Sequence, residues 1–234
     1  MMQLILFSFF SGVTIFFGGI LAYAAERHLK KQIETHILHW SVAFGGGILV
    51  AAVGFVLVPK GIAEFSMVPM IFIFLAGALS FFWIDRAIEK KGGLLAQTMA
   101  MLMDYIPEAM ALGAVFAHDH KLGMLLALFI GFQNLPESFN AYFDLRAGHQ
   151  SAREILMIFF VLSFLGIFAT LTGRFVLDQT PRLTAGIMLF AGGGILYLIF
   201  QDIAPSSKLR NHWDTALGAN FGFLVGMIGT KIFS

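Results

Sequence analysis

The chain has 234 residues, of which 58% are hydrophobic and 12% charged, with a formal net charge of +1. Soluble domains carry about 25% charged residues, so this composition, with a mean hydropathy of +0.82, describes a chain embedded in a membrane throughout rather than anchored by one helix. Near-neutral charge argues for no nucleic-acid partner, and the absence of cysteine excludes disulfides, thiolate metal sites and cysteine catalysis.

Taking about 20 apolar residues per span, the sequence predicts helices near 4–24, 37–58, 67–86, 94–117, 122–144, 153–173, 183–204 and 213–232. The expected fold is one all-α polytopic transmembrane domain covering 1–234. In the first segment Ala22-Tyr23-Ala24 resembles a small-residue cleavage site, but no Lys or Arg precedes Arg27. Without a basic n-region the segment is read as a first transmembrane helix and not as a signal peptide. The second carries Phe44-Gly45-Gly46-Gly47-Ile48-Leu49 and ends near Pro59, and the third closes on a short loop from Asp85 to Gly93.

The fourth and fifth helices hold the most unusual residues. One contains Asp104-Tyr105-Ile106-Pro107-Glu108 and the other Gln133-Asn134-Leu135-Pro136-Glu137. A charged residue at mid-membrane depth costs about 2.5–3.5 kcal/mol on insertion scales, so it marks a functional site by default. The adjoining proline also leaves the carbonyl of Met103 or Phe132 without its helical donor. Residues four apart share a helix face, which puts Asp104 with Glu108 and aligns Gln97 with them. Gln133, Glu137, Asn140 and Asp144 form a second stripe. The hairpin His118–Lys121 is short, so the two helices are antiparallel neighbours and their stripes face each other. Three carboxylates at that depth need protons or a cation to balance them. The methionines Met99, Met101, Met103 and Met110 are read as packing, since Met is a flexible core filler.

The seventh helix carries Phe190-Ala191-Gly192-Gly193-Gly194-Ile195-Leu196 and ends near Pro205. This matches the second helix, and the two cross the membrane in opposite senses, as in the inverted repeats of transporters. With the N-terminus outside, the inner loops hold 10 basic residues and the outer side 5, so both termini are expected outside.

The paired Pro-Glu helices, the glycine-rich second helix and the run from Phe190 to Pro205 resemble the ZIP (Zrt-, Irt-like protein) family of divalent-metal transporters, closest to its bacterial branch. The resemblance covers essentially the whole chain. It implies eight helices arranged 3+2+3, with the outer triplets related by inverted symmetry. It also implies a primary metal site at Asp104, Glu108, Gln133 and Glu137, with Asp104 standing where the family usually has histidine. A second, binuclear position would fall on Tyr105, Asn134 and an acid of helix 6. That stretch, roughly Ser163 to Ala169, holds no acid, so one metal site is expected, with Asn134 and Asp202 as secondary contacts. Asp202 ends the seventh helix after Gln201, where many members carry a His-Glu pair. The resemblance also leaves a homodimer open.

The expected function is passage of a divalent transition metal (zinc, manganese, iron or cadmium) toward the cytoplasm, down its gradient or in exchange for protons. The metal is substrate, and no cofactor is expected. An all-oxygen donor set leans toward harder ions such as manganese, although zinc also accepts carboxylates. The alternative is a non-transporting sensor or scaffold with a degenerate site. A membrane hydrolase would need histidine ligands with an open water position, whereas all seven histidines fall in loops or at predicted helix ends. His118, Asp119 and His120 outside, and His28, His36 and His39 inside, are read as solvated ends or as collectors of metal. The compact chain fits a bacterial inner membrane.

Overall fold

A computed structural model describes residues 1–90, 93–177 and 180–233, except for the side chains of 89 and 93–97. Among these residues it contains eight helices long and apolar enough to cross a membrane. They are α1 (Met2–His28), α2 (Lys31–Glu64), α3 (Met67–Glu89), α4 (Gly93–His118), α5 (His120–Ala147), α6 (Ala152–Leu177), α7 (Pro181–Ser206) and α8 (Leu217–Phe233).

Most helices overrun their expected ends. α2 starts at Lys31 rather than near 37, and α5 runs on to Ala147. Hydropathy detects only the apolar stretch, whereas a helix continues while its backbone bonds and caps are satisfied. Asp119 caps α5 by accepting the Leu122 N–H at 2.9 Å. Ser151 and Glu154 form a reciprocal capping box at the start of α6. His36 and His39 therefore lie within α2 itself.

Two prolines leave a common mark. α2 widens into a π turn at Val53–Leu57, two residues before Pro59, and α7 does so at Ile199–Ile203, two residues before Pro205. Proline supplies no N–H and its ring presses on the carbonyl four residues earlier. A π turn relieves both by inserting one residue into the ladder. A third π turn, Gly173–Leu177, closes α6.

The packing places α5 at the centre, against α1, α2 and α4. α4 also packs on α6 and α7, α1 on α6, α2 on α8 and α3 on α7. Small residues allow the closest approaches. A Cβ at Gly222 would run into the Phe44 carbonyl, and one at Gly47 into the Ala219 carbonyl, so α2 and α8 meet almost backbone to backbone. Polar ties join the layers as well. Ser8 donates to the Thr170 hydroxyl at 2.9 Å, while Glu26 accepts from Tyr142 at 2.5 Å and from Arg146 at 2.8 Å. α3 and α8 are peripheral, with only 11% and 17% of their apolar windows buried.

Candidate metal centre

α4 and α5 turn about Asp119 alone, which holds an extended conformation between His118 and His120. The turn sets the Pro-Glu segments of the two helices side by side. Asp104, Glu108, Gln133 and Asn134 are all buried, and Glu137 is half-buried.

Gln133 donates its side-chain amide nitrogen to Glu108 Oε2 across the helix pair. The other oxygens of both residues, Glu108 Oε1 and Gln133 Oε1, are buried and accept no hydrogen bond. An unpartnered buried acceptor costs about 1–3 kcal/mol, so two on linked side chains mark a place where a donor or a cation is missing. Asp104 accepts the Tyr105 N–H at 2.8 Å. The carboxylates of Asp104, Glu108 and Glu137 do not gather within 4.8 Å of one another, as a different group of described residues does.

A cavity of about 60 Å³ reaches Gln133 and Glu137 from between α2, α5 and α7. Its walls include Gly45, Gly46, Asn140 and Ile203. Roughly 10–15 Å³ of such space admits one water, so this opening has room for a few waters. The α2 glycines create it. A Cβ at Gly46 would come within 2.7 Å of Ile203 Cγ2, and one at Gly45 within 2.9 Å of Pro136 Cγ. Sequence reasoning took the glycine run as one half of an inverted repeat; its role as a wall depends on how α2 sits against α5 and α7.

The other expected contacts stand apart from this group. Asn134 turns toward α1 and donates to the Ser11 carbonyl at 2.8 Å. Asp202 is exposed within the π turn of α7, and its neighbour Ile203 lines the cavity instead. Asn140 donates to Asp144 at 3.1 Å, which joins the lower half of the α5 stripe. The side chain of Gln97 lies outside what the structure describes. Tyr105, at the position expected to have lost a second-site ligand, wedges its ring end against Gly166 of α6 and Gly12 of α1. The phenol end fills the space between these two glycines.

No protein-family model matches the chain. A stretch of 141 residues, 59% of the chain, is 29% identical to the zinc transporter GufA of Myxococcus xanthus. The match spans just over half of that protein, 56% of its length. With eight membrane-length apolar helices and this similarity to a transporter, the chain is an integral membrane protein.

Proposed function

We propose that this chain is a divalent-metal transporter of the ZIP type, carrying its cation through one mid-membrane site on α4 and α5. The observation that carries the reading is the Glu108–Gln133 pair, joined by a hydrogen bond with one bare buried oxygen on each side. Glu137 and Asp104 add carboxylate oxygens, and the cavity beside Gln133 and Glu137 supplies access. A cation seated among these oxygens would complete the open acceptors and screen the carboxylates from one another. Asn134 and Asp202 belong to the proposal as outlying contacts, the first through its hold on α1 and the second at the end of α7.

The packing supports the 3+2+3 inverted-repeat arrangement. Exchanging α1 with α6, α2 with α7, α3 with α8 and α4 with α5 turns each helix pairing into another that occurs. Thus α2–α8 becomes α7–α3, α1–α5 becomes α6–α4, and α2–α5 becomes α7–α4. The matching π turns before Pro59 and Pro205 obey the same exchange. Movement of the outer triplets against α4 and α5 would then open the site alternately to each side. Termini outside, inward flux and residence in a bacterial inner membrane complete the proposal.

Uptake of manganese, zinc, cadmium, iron(II) and cobalt by proteoliposomes tests it. The zinc transporter similarity and the oxygen donor set both predict flux of divalent ions, with manganese gaining on zinc because imidazole is absent from the site. No uptake of any of the five by folded protein would replace the carrier with a metal sensor or scaffold.

A further inference from the structure

A second group of metal-binding side chains lies where the start of α2 meets the segment leading into α8. His36 Nε2 stands 2.8 Å from Asp214 Oδ2, and His212 Nδ1 stands 3.9 Å from Asp214 Oδ1. The two imidazole centroids are 5.1 Å apart. One ligand atom from each of the three residues lies within 4.8 Å of the others.

The backbone holds this arrangement. His212 and Leu209 form an antiparallel bridge, with the His212 N–H donating to the Leu209 carbonyl at 3.1 Å. Asn211 turns the chain there with φ of 66°, a left-handed conformation that asparagine tolerates better than most residues. Thr215 bonds back to the His212 carbonyl at 3.2 Å. His39, nearly one turn further along α2, is used differently. Its Nδ1 meets the Ser206 carbonyl at 2.7 Å and so carries the proton there, tying α2 to the end of α7.

Ligand atoms around a tetrahedral zinc at 2.0–2.2 Å sit about 3.4 Å from one another. The two distances to Asp214 straddle that spacing, so the side chains need only small rotations to close on an ion. All three are open to water, with side-chain exposures of 33% for His36, 50% for His212 and 55% for Asp214, which leaves coordination positions for solvent. Two imidazoles and a carboxylate favour zinc, cobalt, nickel or copper over manganese, calcium or magnesium. The mid-membrane set, all oxygen, has the opposite leaning.

We propose that His36, His212 and Asp214 form a second cation site, of imidazole–carboxylate type, that takes zinc or a similar borderline ion. Its occupancy clamps the start of α2 to the segment entering α8. α2 also walls the mid-membrane cavity, and His36 precedes the cavity residue Val42 by about 9 Å of helix rise. The site therefore sits on the same moving element without sharing a ligand with the mid-membrane one.

The test is a cobalt(II) titration of the tag-free full chain in detergent, followed by visible ligand-field absorption. It is run in a Glu108→Gln, Glu137→Gln background, so the result does not depend on the mid-membrane reading. One equivalent of cobalt with a visible band, displaced by zinc, is expected. His212→Ala and Asp214→Asn each weaken it at least tenfold, and His39→Ala leaves it unchanged. No band, or equal affinity in His212→Ala with helix content retained, overturns the site and leaves a His–Asp ion pair. Loss of the transport reading would instead appear as uptake unaffected by the glutamate substitutions.

Discussion

Gln133 holds one oxygen of Glu108 across the α4–α5 pair, and neither residue's remaining oxygen meets a donor. The hydrogen bond orients both side chains, and the two open acceptors then face a common need for positive charge. Much of what the chain is expected to do depends on that half-completed pair.

Replacing Gln133 with Leu removes the donor and one acceptor together. Glu108 is fully buried, so both of its oxygens then lack partners, at a cost of about 1–3 kcal/mol. The metal-free protein should unfold at a lower temperature in detergent, and added zinc or manganese should raise that temperature less than in the wild type. Equal metal-induced shifts in the two proteins would remove Gln133 from the site.

Gly46→Ala puts a methyl 2.7 Å from Ile203 Cγ2, inside the wall of the cavity. Uptake should fall several-fold and the thermal midpoint should fall too, because Cγ2 sits on the branched Cβ of Ile203, whose χ1 is stiff. Ile203→Ala, which removes Cγ2, should restore part of the rate in the double variant. A double variant no faster than Gly46→Ala would show that the cavity is not the limiting path.

Glycines with the same intrinsic propensity should diverge by environment. A Cβ at Gly222 would run into the Phe44 carbonyl, whereas one at Gly54 has nothing within 4 Å. Gly222→Ala should destabilise by about 1–3 kcal/mol through overpacking. Gly54→Ala should be neutral or stabilise by up to about 1 kcal/mol, since alanine is the better helix former. Thermal unfolding of the two variants beside the wild type distinguishes them.

Tyr105 and Gly166 should behave as a coupled pair. A Cβ at Gly166 would strike the Tyr105 hydroxyl, so Gly166→Ala should lower the midpoint clearly. Tyr105→Phe in the same protein should recover part of the loss, since the hydroxyl is gone while Cζ would still lie 2.5 Å from the added methyl. Additive effects in the double-mutant cycle would mean that the contact does not decide packing there.

The meeting of Glu108 and Gln133 across α4 and α5 was legible because it follows from local rules. A four-residue spacing puts Asp104 beside Glu108 and Gln133 in line with Glu137, and a one-residue turn at Asp119 makes their helices antiparallel. Gly46 and Ile203 were not legible as a wall, because their meeting depends on the docking of α2 against α7. Asn134 was placed in the right segment, yet its amide faces Ser11 of α1, a direction set by helix rotation rather than spacing. Tyr105 was read as a missing ligand, and the glycines opposite it, which give its ring room, lie on α1 and α6. His36 was named as a solvated end or a collector of metal, but its grouping with His212 and Asp214 was missed because α2 begins before its apolar stretch. Its partners also arrive from the far end of the chain.

The most direct measurement is the initial rate of zinc and manganese uptake into proteoliposomes, comparing wild type with Glu108→Gln and Glu137→Gln at equal reconstitution. Each substitution keeps size and polarity but removes a charge beside the cation, so uptake should fall at least a hundredfold with the fold retained. Wild-type rates in both variants would contradict the account, because the ion would then cross the membrane without this site.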